Sequence, residues 1–567
     1  MKSRTSLFNK TVLLKDITRF CPLWIIFSIL NIMPVLGNVS TTALIPEENY
    51  AAYQLAASTP VMALTTFAYA MICALFLFGD LFKGRLCNAL HAFPLRREGW
   101  FLTHALAGVL FFLVPSTAVA LIYLPFLGQY WYIAPMWLLA STVMFLFFFG
   151  LALVCIMLTG SRFAAAAVYL LINFFSMLCY WMVYTYYAPL LPGLHIQDKY
   201  FLWFCPVAML AADEYFVMEQ VFYKGNWTNG FYQFVFRGFT NRWLYIGIAA
   251  ALAIALFALA LVLYRKRKLE SAGDFLAFHK PQPVFLVIFS LAVGAIFQTI
   301  FGLFDSNIIS MIIGLIIGSY AGQMLLRRTV KVFDKRSFLW CGFLTCALIL
   351  TLLLAYLDPL GLTRWTPQPE QVTSITLSEN YDFDIDLAKD EDYLYERYVT
   401  ITDPEDIQAI VAVHRRILSE KAYIDPDPIH MYNPYLAPVH ITYHMADGRD
   451  VVRRYYVTND ALYQELLPFF SDTEFLLGYS DFETFYSQVI TVALDGNKIQ
   501  TASNARALLE AVWADCENGT MAQGSSNSIY SSGHWIDIET ADDYVSLEVF
   551  ASSRRTLDWI ESRKNTH

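Results

Sequence analysis

Nine apolar runs of membrane-crossing length fill the first 357 residues, and they leave that part of the chain one way to fold. They lie at about 20–37, 60–82, 100–127, 131–159, 163–188, 243–264, 283–303, 307–326 and 337–357. About 20 apolar residues in a helix cross the roughly 30 Å of hydrocarbon in a bilayer. Lipid offers no partner to backbone amides and carbonyls, so a helix, which satisfies them internally, is the structure open to such a run. The first run is the weakest, because Pro22, Asn31 and Pro34 interrupt it. Composition agrees: 57% of the residues are hydrophobic and 15% are charged, against roughly 45–50% and about 25% in soluble domains. The expected fold is a polytopic α-helical membrane protein of about nine transmembrane helices, followed by a C-terminal soluble α+β domain.

Charge divides the chain at the same place. Residues 1–357 carry 24 Lys and Arg against 13 Asp and Glu, whereas residues 358–567 carry 15 against 35. Net charges of opposite sign imply two environments. With a cytoplasmic N-terminus, the inward segments 1–19, 83–99, 160–162, 265–282 and 327–336 hold 20 Lys and Arg. The outward segments before residue 358 hold only Lys199, Lys224, Arg237 and Arg242. Basic residues stay on the cytoplasmic side, so this orientation in the plasma membrane is expected, and an odd number of crossings places residues 358–567 outside. One crossing more or fewer reverses that placement. No small-residue cleavage site follows the first run, which is expected to stay as an anchor.

The spans themselves are sparing with polar groups. Asp80 and Arg162 fall at predicted ends, and no ionised residue lies near a middle. Charges within a membrane are costly and mark ion or proton pathways, which disfavours a proton- or sodium-driven carrier. Asn173 and Gln298 read as helix–helix contacts. Gly314, Gly318 and Gly322, four apart, share one helix face and permit close packing. Arg265, Lys266, Arg267 and Lys268 read as an anchor at the inner headgroups. Seven of the nine cysteines (Cys21, Cys73, Cys87, Cys155, Cys179, Cys341 and Cys346) sit in or against apolar runs, and Cys205 and Cys516 fall in segments expected to be exposed. No CxxC pair or metal spacing is present. The long outer loop 189–242 is broken by Pro206, Asp213, Glu214 and Glu219 and reads as short helices at the interface.

Beyond residue 358 the periodicity changes. "VHITYHMADGRDVVRRYYV" alternates on both sides of Asp447–Gly448 and predicts a hairpin. Asp403 and Pro404 open one predicted helix. Ser503 is the predicted N-cap of another, with Gly519 as its stop. "SITLSENYDFDIDL", "QVITVALDGNKIQ" and "YVSLEVFA" read as strands. Strand-then-helix occurs twice, at about 372–420 and 488–517, the pattern an internal duplication would give. His430, His440 and His444 lie near Asp425 and Asp427, and the spacing of His440 and His444 on one strand face raises a metal site as the alternative to solvated strand residues.

The chain has no G-x-x-x-x-G-K-[ST] loop, so ATP hydrolysis is not expected of it alone. It also lacks H-E-x-x-H and G-x-S-x-G. The stretch "NALHAFPLRREGW", 88–100, stands between two of the most apolar runs. A basic anchor accounts for Arg96 and Arg97, and Pro94 suits a first helical turn. It does not account for Leu90, Phe93 and Leu95 among them, a mixture that suits docking into a cytoplasmic partner.

"L-HAFPLRREGWFLTHALAG" resembles the segment between the second and third spans of ABC-2-type exporter permeases. "LYRKRKLESAGDFLAF" is similar to the end of the sixth span in permeases of this type from Gram-positive bacteria, some of which carry three more helices and an extracytoplasmic tail. The resemblance implies a six-helix core over 1–264, with a coupling segment at about 84–99 and the outer loop 189–242. Three additional helices would occupy 265–357 and an extracytoplasmic α+β domain 358–567. It implies that Leu90, Phe93, Pro94, Leu95, Arg96, Arg97 and Glu98 dock on a separate ATP-binding subunit. ATP and Mg would belong to that partner, with no cofactor in this chain. It further implies a homodimer or a heterodimer with a related permease, contact with membrane lipids, and export of an amphipathic drug, peptide or lipid-like molecule. Nucleic acid is not an expected partner. Two other readings stay open. Glu47 and Glu48 fit a membrane-bound transferase acting on lipid-linked sugar, and the acidic outer domain fits a membrane sensor or scaffold.

Overall fold

The computed structural model describes residues 9–42, 49–85, 96–194, 204–211, 215–223, 231–267, 273–278, 280–301, 307–378, 398–424, 437–470, 476–477, 479, 481–518, 520–523, 531–540, 544–550 and 552–564. The chain divides into two compact units. The first comprises Met1–Met182 and Gln197–Ile349, and the second Val183–Ile196 and Leu350–His567. The second unit therefore takes in the end of the fifth predicted span with the stretch after it, and begins again inside the last predicted span.

The first unit is a membrane-embedded helical bundle. A short amphipathic helix α1 (Lys10–Arg19) is capped by Asn9, whose carboxamide oxygen accepts from the amides of Thr11 and Val12. Then come α2 (Cys21–Thr42), α3 (Tyr50–Leu77), α4 (Arg97–Tyr123), α5 (Ile133–Leu158) and α6 (Arg162–Met182). After the one-turn α7 (Pro206–Ala211) and a β-hairpin follow α8 (Trp243–Lys266), α9 (Gln282–Phe301), α10 (Asn307–Arg327) and α11 (Lys335–Leu357). Eight helices in the described residues are long and apolar enough to cross a membrane, and they match every sequence candidate after the first. The remaining candidate, α2, is one unbroken helix of 22 residues.

Helix α5 is apolar all round and lies at the centre, the placement such a helix requires. Phe145, Phe148, Phe149, Leu153 and Cys155 are fully buried on it. Phe112 of α4 stacks on Phe145 with ring centroids 4.5 Å apart. Asn173 does not join two helices as the sequence reading expects. Its amide donates to the Tyr169 carbonyl one turn back, 2.8 Å away, and the Cys205 thiol is what crosses to the Asn173 carbonyl, at 3.2 Å. Cys205 is completely buried, contrary to expectation.

The segment 189–242 holds one of the expected short helices, α7, but more than helices. Its main feature is an antiparallel hairpin, β1 (Phe216–Tyr223) and β2 (Phe231–Phe239). The signal was in the sequence: two runs rich in aromatic and β-branched residues flank "KGNWTNG", which carries Gly and Asn as turn residues do. Phe234 stacks on Tyr53 of α3 at 4.2 Å, its carbonyl accepts from the Asn49 amide, and Phe239 meets Trp243 at the head of α8.

Among the described residues the second unit holds two five-stranded antiparallel sheets. The first is built from β3 (Val372–Ser378), β4 (Val399–Ile401), β5 (Tyr423–Ile424), β6 (Ala437–Met445) and β7 (Asp450–Val457), with α12 (Pro404–Glu420) and α13 (Asp460–Phe470). A short α14 (Phe482–Gln488) leads to the second. That sheet is built from β8 (Val489–Leu494), β9 (Asn497–Lys498), β10 (Met521–Gln523), β11 (Ser531–Thr540) and β12 (Tyr544–Phe550), with α15 (Ala502–Glu517) and α16 (Arg554–Lys564). The strand orders are β4-β3-β6-β7-β5 and β9-β8-β11-β12-β10. Numbered within each half, both read 2-1-4-5-3, and in both the helices follow the second and the fifth strand. The unit is an internal duplication, of which the two strand-then-helix stretches in the sequence are the visible part.

Local signals explain several boundaries. The Asp403 carboxylate accepts from the Glu405 amide and caps α12, a contact typically worth about 1 kcal/mol. The hairpin turn at Asp447–Gly448 uses Gly448 at φ +81°. The cap predicted at Ser503 is displaced. Thr501, in extended conformation, precedes α15, and its carbonyl takes the amides of Asn504 and Ala505, so Ser503 is already in the first turn. The predicted stop, Gly519, lies outside the described residues. Cys516 is buried rather than exposed, on the face of α15 that packs into the core of the second repeat.

Candidate functional site

The basic end of the helical bundle is assembled from pieces far apart in sequence. Of the proposed coupling segment, Leu90, Phe93, Pro94 and Leu95 lie outside the described residues. Arg96 is the N-cap position of α4 and Arg97 its first residue, both exposed, and neither forms an ion pair among the described residues. Glu98 is engaged: its carboxylate stands 3.2 Å from Nε of Arg265, at the end of α8.

Behind this lies a buried contact that the sequence reading missed. His104, in the second turn of α4, places Nδ1 2.6 Å from Oδ2 of Asp16 on α1, and both side chains are about 95% buried. The amide of Asn9 meets the Thr103 hydroxyl beside it, at 3.4 Å. Trp100 and Phe78 close over the imidazole edge-on. A carboxylate and an imidazole on helices widely separated in sequence leave no local pattern. The one hint is that Asp16 is the sole acid of α1.

Of the four basic residues at the end of α8, Lys268 lies outside the described residues, and the other three are not equivalent headgroup anchors. Arg267 is 7% exposed. Its guanidinium donates to the carbonyls of Ile156, at 2.6 Å, and Leu81, at 3.4 Å, and lies over the Phe82 ring. Carbonyls at a helix end lack partners within the helix, and Arg267 supplies them for α5 and for the turn after α3. The strap beyond α8 continues this: Gly160 donates to the Asp274 carbonyl at 2.9 Å and Ala277 to the Leu158 carbonyl at 2.8 Å.

Gly314, Gly318 and Gly322 of α10 lie along α9. A Cβ at Gly318 would stand 2.8 Å from the Val293 Cβ and 3.0 Å from the Ser290 Cα, and one at Gly314 would stand 2.9 Å from the Gly294 Cα.

The second unit holds a buried polar cluster in its first repeat. His414 of α12 is completely buried, with Nδ1 2.8 Å from the Tyr443 hydroxyl and Nε2 2.9 Å from the Tyr455 hydroxyl. Arg453, between the two tyrosines on β7, is 3% exposed; it donates to the Leu362 carbonyl at 2.9 Å and lies over the Trp365 ring. Burial, which disfavours the charge, lowers the Arg453 pKa. Burial also works against the charge of nearby Asp358, but hydrogen bonds from Thr363 and the Leu362 amide outweigh it and hold that carboxyl below its usual range.

Burial, with Arg453 and Arg415 adding to it, drives the pKa of His414 down to about 3. The neutral ring donates from one nitrogen and accepts at the other, so one tyrosine hydroxyl accepts and the other donates. An unfolded histidine titrates near 6.5, so between about pH 6.5 and 3 the unfolded chain binds a proton that the folded one refuses. The stability involved is complete above pH 6.5 and is lost on acidification, by about 1.4 kcal/mol per pH unit at most. Urea unfolding of the second unit in the full chain, followed by pulse proteolysis, should show a loss of about 2–3 kcal/mol from this group between pH 6.5 and 4.5. His414→Gln should flatten that slope by about one proton, and an unchanged slope would assign the acid sensitivity to other groups.

The histidine pair on β6 is not a metal site. Four residues along a strand place His440 and His444 about 13 Å apart, too far to share an ion. His444 is occupied, with Nε2 2.9 Å from the Thr376 hydroxyl and Nδ1 2.8 Å from Asp450, while His440 is buried. His430, Asp425 and Asp427, and likewise Glu47 and Glu48, lie outside the described residues. Among the described residues no group of three or more His, Cys, Asp or Glu is placed to hold a metal.

No family model, curated protein or solved structure matches this chain. The functional reading therefore rests on the residues themselves.

Proposed function

We propose that this chain is the membrane-spanning permease subunit of an ATP-driven exporter of the ABC-2 type, working with a separate ATP-binding subunit. The observation that supports it most is the contrast at the basic end of the bundle. Arg265 and Arg267 are engaged by other residues, whereas Arg96 and Arg97 project exposed from the head of α4. They follow directly on the segment with Leu90, Phe93, Pro94 and Leu95. Helix α4 is itself braced there by α1 through Asp16 and His104. A push delivered at 84–99 would reach a helix start that is held firmly enough to pass the push on.

In this reading ATP and Mg are held by the partner, the chain pairs with a second copy or a related permease, and the basic end faces the cytoplasm of a bacterial cell. The substrate class is an amphipathic drug, peptide or lipid-like molecule. The test is capture of the tagged protein from its own membrane, comparing wild type with Arg96→Glu/Arg97→Glu. An ATP-binding subunit should be recovered with wild type and reduced at least about tenfold with the variant. Recovery of no ATPase with either, from membranes in which the protein is intact, would overturn the proposal.

A further inference from the structure

The two repeats of the second unit act as controls for each other. Their N-caps, Asp403 and Thr501, align α12 with α15, so His414 corresponds to Val512. The hairpin-closing pairs His444/Asp450 and Glu539/Tyr544 align β6–β7 with β11–β12. Counting inwards, Tyr443 then corresponds to Ile538, Arg453 to Leu547 and Tyr455 to Val549. Val512, Ile538, Leu547 and Val549 are all completely buried in one apolar core. The fold thus closes with aliphatic side chains at all four positions. The polar cluster of the first repeat serves something the second repeat does not do.

The sheet edges show what differs. In the second repeat β10 pairs with β12 over Val549, Glu548 and Leu547. In the first, β5 pairs with β7 only at Val457 and Tyr456. The next stretch of β7 is met from elsewhere. Leu194 forms an antiparallel bridge with Arg453, and the Arg454 amide donates to the Gly193 carbonyl at 3.2 Å. Gly193 and Leu194 therefore stand where Ala522 and Gln523 of β10 stand in the other repeat. Gly193 has φ +78°, and a Cβ on it would lie 2.1 Å from the Tyr455 ring, so the approach needs glycine.

We propose that the turn Leu191–Leu194, which follows the π-helical turn Val183–Tyr187, covers the open edge of β7 in the first repeat, and that Arg453 is the latch joining this turn and the segment after α11 to β7. The same guanidinium holds the Leu362 carbonyl and stacks on Trp365, while its backbone bridges Leu194. Tyr187 and Thr351 of α11 add a hydrogen bond of 2.7 Å between the two segments. One main-chain hydrogen bond, from the Arg454 amide to the Gly193 carbonyl, and the Tyr455 ring against Gly193 fix the turn on β7. All of these groups belong to the second unit. This inference does not depend on the exporter reading.

The test is hydrogen exchange of the full-length protein in nanodiscs. In Arg453→Leu, the residue of the other repeat, exchange in 186–194 and in 358–366 should rise at least about tenfold while α12 and the β6–β7 hairpin keep their protection. Gly193→Val removes no side chain of the cluster but clashes with Tyr455, and should release 186–194. If Arg453→Leu unfolds the repeat, Gly193→Val decides by itself. Wild-type protection of 186–194 in Gly193→Val would overturn the proposal, and so would loss of the β6–β7 hairpin together with it.

Discussion

Arg267→Met is expected to destabilise the membrane unit by about 2–4 kcal/mol, whereas Arg265→Met, two residues earlier, should change it by less than about 1 kcal/mol. The two arginines belong to one basic run but do different work. Arg265 is half-exposed and makes a pair with Glu98, where solvent screens most of the gain. Arg267 is buried and donates to the carbonyls of Ile156 and Leu81. Methionine fills much of its volume but leaves both carbonyls buried without that donor, and each such loss costs about 1–3 kcal/mol. Arg267→Lys should recover part of the loss, because one ammonium can still reach a carbonyl. Thermal unfolding in detergent with paired controls measures the difference. Equal effects at 265 and 267 would mean that the run acts only as a charged anchor.

Gly318→Leu is expected to separate α9 from α10 at a cost of about 3 kcal/mol or more. The contact is with backbone: the added Cβ would stand 3.0 Å from both Cα and O of Ser290. A flexible neighbour could rotate away, but a helix backbone can yield only by moving the whole helix. Gly342 on α11 has nothing within 4 Å of its would-be Cβ. Gly342→Ala should therefore be neutral or slightly stabilising, since alanine is the better helix former by about 1 kcal/mol. Thermal stability and protease sensitivity of the α9–α10 connection distinguish the two sites. An equal, small effect at both would show that close approach of the helices is not what the glycines provide.

What the chain's residues settle one stretch at a time was legible from the outset. Apolar length fixes a helix because lipid satisfies no backbone group, and the eight helices among the described residues that are long and apolar enough to cross a membrane fall where the runs are. The Asp403 cap and the Asp447–Gly448 turn depend on neighbours a few residues away, and both formed as written. The hairpin at 216–239 was equally local and was hidden only because its strands sit between membrane runs and are as apolar as they are.

Tertiary structure alone decided the rest, because those features join groups with no shared sequence pattern. Arg267 finds Ile156 and Leu81 across separations of 111 and 186 residues. Asp16 meets His104 between two helices. His414 and Arg453 read as ordinary helix and strand residues until α12 closes over β7. The duplication was faint in sequence because the repeats share hydrogen-bond topology, which backbone groups of any residue supply, and differ in the side chains at their centres. A buried charge and a buried leucine can occupy one position in one fold. Which of them a chain carries depends on what packs against that position from outside the repeat.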